Sequence, residues 1–325
     1  MLRCTERPDD QKQRENHILT TNPNLESISK LSPLLIFSAL GALSVVLWWG
    51  PLASLFTLAL SDEQYTHILL ILPISVALTF IDWKSPAEPS RLGAAFGSAL
   101  LAIAVGTKVA ARWSGLSSPD VQLSLNILAL LAWWVGAFIL CFGTRASRRA
   151  LFPLCFLLWM VPLPQFVLNP IVTLLQQGST ASAHLLFAAA GISVEQNGML
   201  LHLPGLTLEV APECSSIRSS LMLLVTTMVL AQLLLRSSWR KALVFAVALP
   251  LSVAKNGLRI FVLGALTTKV DPSFLTGKLH RQGGVIYFLI ALLAIFLLLW
   301  ILRRGENRQP QIPATGSVGR PIRER

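Results

Sequence analysis

Apolar runs about 20 residues long recur through this chain and restrict its fold more than any other feature. "LLIFSALGALSVVLWWG" (34–50) and "GVIYFLIALLAIFLLLW" (284–300) are two of them. A helix needs about 20 such residues to cross a bilayer. Eight segments qualify: 33–51, 65–81, 92–111, 122–142, 150–168, 216–235, 242–264 and 283–302. Backbone polar groups in lipid must be satisfied within the segment, so all eight are expected to be helices. With 53% hydrophobic and only 13% charged residues, against about 25% charged in soluble domains, the chain has too much apolar surface for a water-soluble core. The expected fold class is therefore all-α, a polytopic membrane bundle of about eight transmembrane helices.

The formal charge of +11 does not point to nucleic acid, because the basic residues sit in short loops and tails without aromatic interleaving on a polar domain. Their placement reports sidedness instead. "TRASRR" (144–149), "RSSWRK" (236–241) and "RRGENR" (303–308) all fall inside if the N-terminus is inside, as do Lys84 and Arg91. Residues 1–30, polar and without an apolar h-region, are expected to be a disordered cytoplasmic tail. Residues 303–325 are expected to be a second, basic one, leaving 31–302 as the transmembrane domain.

Residues 169–191 complicate the count. They are moderately apolar but carry Asn169, Gln176, Gln177, Ser179, Thr180, Ser182 and His184, a poor face for lipid. They are expected to form an amphipathic helix at the outer interface. Beyond it, the alternation "LTLEV" and the Pro204-Gly205 turn predict a small extracytoplasmic hairpin ahead of Cys214.

Three expected span ends then meet at the outer face. One carries Cys214 and Arg218, spaced i, i+4; the next carries Asn256 and Arg259, spaced i, i+3; the last is preceded by His280. Each feature has an ordinary explanation alone. A lone cysteine near a span usually packs, an arginine at a span end usually snorkels, and a histidine at a helix start usually caps. Cys141, Cys155, His17, His184 and His202 fit those explanations. The joint placement of Cys214, Arg218, Asn256, Arg259 and His280 is what points to chemistry.

Cys, His and Arg together suit acyl transfer. A thiolate is the nucleophile and a nearby cation favours it. Histidine can donate a proton to a leaving amine and later accept one from the incoming nucleophile. Arginine can stabilise the oxyanion of a tetrahedral intermediate. The expectation is that Cys214 attacks a peptide carbonyl to form a thioester, with His280 as acid and base. Arg218 or Arg259 would support the thiolate, the oxyanion or the substrate. Five scattered His residues show no ligand spacing, so no metal and no other cofactor is expected.

At these residues the chain resembles the exosortase/archaeosortase family. "PECSSIRSS", "NGLRI" and "LHRQGGVIYF" look like its three signature blocks. "DEQYTHILLILPISVAL" is similar to its early Tyr-x-His segment, and "FLLWMVPLPQ" to its Pro-rich fifth-span end. Ser215-Ser216 stands where many members have Ser-Gly, and Ile68 where a Gly is common. The resemblance implies a multi-pass cysteine transpeptidase or protease, a hydrolase of peptide bonds at the outer face of a bacterial inner membrane. Its partners would be membrane-anchored surface proteins bearing a C-terminal PEP-type sorting signal. It implies Cys214 as nucleophile, Arg259 and His280 as the rest of the catalytic set, and Arg218, Asn256, Glu213 and Ser215 in supporting or substrate-binding roles. A competing class is a transporter or polysaccharide-handling protein without covalent chemistry. That class would use Arg259 and Asn256 to hold a ligand and would leave Cys214 without a role.

Overall fold

The computed structural model describes residues 23–81, 91–113, 118–210, 217–269 and 284–307, with side chains from residue 33. The chain divides into two compact units, Met1–Val167 and Leu168–Arg325. Among the described residues, six helices are long and apolar enough to cross a membrane, or up to eight if each of two bent pairs is one span. An all-α polytopic bundle is what the chain forms.

The first unit contains α1 (Pro23–Leu47), α2 (Trp49–Ser61), a 3-10 turn (Glu63–Tyr65), α3 (Ile68–Ile81), α4 (Arg91–Trp113), α5 (Pro119–Arg149), the short α6 (Leu151–Phe156) and a second 3-10 turn (Leu157–Met160). Helix α1 begins at Pro23, ahead of residue 31 where the transmembrane domain was expected to start. The expected span 33–51 is bent by 77° at Trp48. Pro51 accounts for the bend, since it has no N–H to offer the carbonyl of Leu47 one turn back. Lys108 of α4 donates to that carbonyl instead, and its ammonium lies 4.8 Å from the Trp48 ring centroid. Neighbouring indoles hold the same turn: Trp133 Nε1 donates to Leu40 O at 3.1 Å, and Trp134 Nε1 to Ser44 Oγ at 2.9 Å. Trp48 packs with Ala104, Ala129, Leu130 and Trp133 as one core cluster. Helices α4 and α5 approach closely where Gly97 faces Gly136; a Cβ at Gly97 would lie 2.8 Å from the Gly136 carbonyl oxygen.

The expected fifth span, 150–168, is not one helix. Helix α6 tightens into a 3-10 turn and the chain breaks at Val161–Pro164, where Pro162 and Pro164 interrupt the backbone ladder.

The second unit contains α7 (Gln165–Ala189) from Leu168 onward, strands β1 (Glu195–Asn197), β2 (Leu200–Leu203) and β3 (Leu206–Glu209), then α8 (Ile217–Leu234), α9 (Ser238–Lys269) and α10 (Gly284–Asn307). The segment 169–191 is absorbed into α7, whose character is the reverse of a surface helix. Gln176, Ser179 and Thr180 are buried, whereas Phe166, Leu174 and Leu185 are exposed. Contacts rise together along α7 and α9, from Gly178 against Val253 through Ser182 against Gly257 to Phe187 against Phe261 and Gly264. The two helices therefore run side by side in the same direction, with α7's polar face turned to α9.

The expected hairpin is a three-stranded antiparallel sheet, ordered β1-β2-β3. The extra strand comes from a second turn at Gly198 (φ 61°), whose conformation favours glycine as does that of Gly205 (φ 79°). Leu201 pairs with Leu208, and both pack on Ala183 and Phe187 of α7 and on Ile260 and Phe261 of α9. At the other end of the unit, Glu306 of α10 accepts the backbone N–H groups of Arg236 and Ser237, and Arg240 donates to Leu302 O at 2.6 Å. The clusters "RSSWRK" and "RRGENR" thus lie at one end of the unit. The starts of α8 and α10 and the end of α9 lie at the opposite end.

Candidate functional site

A lysine within an apolar helix needs a partner, because an ammonium buried away from water without one is costly. Lys255 of α9 is 6% exposed and donates to Ser219 Oγ of α8 at 2.5 Å. The next residue, Asn256, is 1% exposed and turns toward α7, where its Nδ2 donates to Ser179 Oγ at 3.0 Å. Two consecutive side chains of α9 therefore reach two different helices. Gly257 follows them at the closest point of approach: a Cβ there would collide with the Ser182 side chain and lie 3.1 Å from Ala183 N. Only a glycine lets α7 come near enough for the Asn256–Ser179 bond.

One turn before Ser179, Gln176 Nε2 donates to Val210 O at 2.9 Å. That bond fixes the last described residue after the sheet to α7. Thr180 donates its hydroxyl to the backbone carbonyl of Gln176 at 2.8 Å, one turn back in the same helix. Across the six residues between the described segments, Val210 is tied to α7 and Ser219 to α9. The two described flanks of the "PECSSIRSS" block are thereby anchored to one polar patch.

Arg259 lies a turn beyond Lys255 and is half-buried, whereas Arg218 in the first turn of α8 is exposed. The charge of Arg259 bears on both Lys255 and the buried Tyr287 of α10. The patch therefore draws on four helices of the second unit: Gln176 and Ser179 from α7, Ser219 from α8, Lys255, Asn256 and Arg259 from α9, and Tyr287 from α10. Such an arrangement can fix a chain segment at the mouth of the bundle and present cations to an anion or a developing negative charge.

Of the residues expected from sequence, Arg218 falls in the first turn of α8, and Asn256 and Arg259 fall well within α9, Asn256 directly after Lys255. Glu213, Cys214, Ser215 and His280 lie outside the described residues. Five participants were missed, among them Ser219, which stood inside the block "PECSSIRSS". Lys255 immediately precedes the block "NGLRI", and its position inside the expected span 242–264 was the available signal. Gln176 and Ser179 were visible as a poor lipid face, but sequence alone did not show that they faced α9. Tyr287 carried no signal beyond its place in "GGVIYF".

Residues 59–297 match the family model described as Transmembrane exosortase (Exosortase_EpsH), a stretch that includes all of the signature blocks. No curated protein and no solved structure matches the chain.

Proposed function

The chain belongs to the transmembrane exosortase family, and from that premise we propose that it is a cysteine transpeptidase or protease that cleaves C-terminal PEP-type sorting signals of surface proteins. Family membership and the apolar helices support a multi-pass membrane protein with a sorting-related transpeptidase activity in general. The finer reading assigns the steps. The Cys214 thiolate attacks the scissile carbonyl carbon, and the carbonyl π electrons move onto oxygen. The oxyanion is stabilised by a guanidinium, for which half-buried Arg259 is better placed than exposed Arg218. Collapse expels the amine of the sorting signal, which takes a proton from His280 and leaves a thioester on Cys214. An incoming nucleophile, deprotonated by His280, then attacks the thioester and releases the thiolate.

The observation that carries this reading is the anchoring of both flanks of the cysteine block. Gln176 holds Val210, Lys255 holds Ser219, and Arg259 lies one turn from Lys255. A wandering nucleophile segment would lose most of the advantage of a bound substrate, since misplacement by about 1 Å can cost about 100-fold in rate. Asn256, Arg218, Glu213 and Ser215 are assigned supporting or substrate-binding roles. The membrane is assigned as the bacterial inner membrane, with both termini cytoplasmic and the site facing outward. No cofactor enters these steps.

The buried cation of Lys255 and the nearby Arg259 also favour a second reading, in which the patch holds an anionic ligand without covalent chemistry. Co-expression with a tagged surface protein bearing a PEP-type signal separates the two. The transpeptidase reading expects shortening by the wild type and none by Cys214→Ala. Equal processing by both chains would sink it and leave the ligand-holding reading.

A further inference from the structure

The early Tyr-x-His segment takes no part in those steps, yet Asp62 and Tyr65 at its start line a cavity of the first unit. The cavity has a volume of about 540 Å³ and is lined by Ser54, Asp62, Tyr65, Asp120, Gln122 and Asn126 among others. That size suits a headgroup or a small ligand. It opens where α2 ends, α5 begins and the chain breaks at Val161–Pro164. Among the described lining residues, Asp62 and Asp120 are the only charged ones.

Both carboxylates already accept backbone N–H groups. Asp62 Oδ1 accepts the Gln64 N–H at 2.9 Å, and Asp120 Oδ2 accepts the Gln165 N–H at 2.8 Å. Two acidic residues alone would mark nothing, but Tyr65 adds a separate observation. It is 8% exposed, lines the cavity, and its hydroxyl makes no hydrogen bond among the described residues. The charges of Asp62 and Asp120 both act on it, so the three groups lie together. A buried phenol ordinarily finds a partner. Here the open direction is the cavity.

We propose that this cavity binds an organic ammonium group, with the carboxylates of Asp62 and Asp120 receiving its charge and N–H donors and the Tyr65 hydroxyl completing the contact. An anion is disfavoured because no described lining residue carries positive charge. The side-chain amides of Gln122 and Asn126 add neutral hydrogen-bonding capacity, and Pro51, Leu58, Leu123 and Leu163 supply apolar walls for the attached carbon. The ammonium could come from an aminophospholipid headgroup or from a soluble amine; the chemistry of recognition is the same. The site lies wholly in the first unit and rests on no part of the transpeptidase reading.

The test uses the purified full chain in detergent micelles. Native mass spectrometry would follow retention of phosphatidylethanolamine against phosphatidylglycerol with matched acyl chains, and thermal melting would follow added ethanolamine. Tyr65→Phe, Asp62→Asn and Asp120→Asn are suitable variants, because each keeps its shape and each asparagine keeps an acceptor for the backbone N–H. Preferential retention of phosphatidylethanolamine that falls about tenfold in each variant supports a lipid-borne ammonium. Stabilisation by ethanolamine that the variants lose, without lipid preference, supports a soluble one. Absence of both effects, or effects that persist unchanged in variants melting like the wild type, overturns the proposal.

Discussion

Lys255 and Asn256 are adjacent in sequence and serve different interfaces. Lys255 reaches Ser219 on α8 and Asn256 reaches Ser179 on α7. Removing one partner of a buried charged hydrogen bond costs about 1.5–3 kcal/mol, since the remaining group keeps its desolvation penalty. Lys255→Met is therefore expected to lower processing of a tagged sorting-signal substrate at least about tenfold. Ser219→Ala should act in the same direction, and the double variant should be no worse than Lys255→Met. Independent, additive losses in a processing time course would show that the pair does not act as one unit. The sequence made Arg259 and Asn256 legible because polar side chains in an apolar run are conspicuous. Lys255 was equally conspicuous, but its partner lies 36 residues away along the chain. No local pattern encodes that pairing.

Among the elements, α7 shows how period and packing divide the work. Its length and its polar positions were readable, and the helix was expected. Its polar residues were expected to face water, whereas Gln176, Ser179 and Thr180 are buried and the apolar Phe166, Leu174 and Leu185 are exposed. The helical period separates a polar face from an apolar one but does not say which of them meets the protein when the solvent is lipid. Gly257 permits the contact. Gly257→Ala should drive Ser182 and the α7 backbone away from α9, at a cost of about 1–3 kcal/mol, read as a lowered melting temperature in micelles. An unchanged melting temperature would mean that α7 is not pressed on α9. The bend at Trp48 has the same lesson. Pro51 announces a weak point, but the capture of the Leu47 carbonyl by Lys108 depends on a helix 61 residues downstream. Gly97→Val is expected to be the more damaging change in that unit, because its Cβ would meet backbone rather than a flexible side chain. Loss of folded yield, against little effect for Gly106→Val, would bear this out.

Across the whole chain, sidedness depends on how α6 and α7 are counted. Counting the broken pair from Leu151 to Ala189 as one span retains the parity set by loop charges. The clamp of Glu306 on Arg236 and Ser237 agrees with a common side for two of the basic clusters. Reporter fusions after Arg149 and at Ser237 are expected to read cytoplasmic, and one at Gly205 external. A cytoplasmic reading at Gly205 would place the sheet inside and remove the outward-facing site with it.

Helix content and the chemistry-bearing blocks were set by local properties: apolar length, backbone hydrogen bonding in lipid, and the rarity of charge within it. Those follow from short stretches of residues and need no partner. The meeting of Lys255 with Ser219, the inward turn of α7, the third strand beside the expected hairpin and the cavity around Tyr65 depended on packing between distant segments. There, close approach at a glycine or an unfilled carbonyl decides which side chains meet, and neither is visible until the helices are assembled.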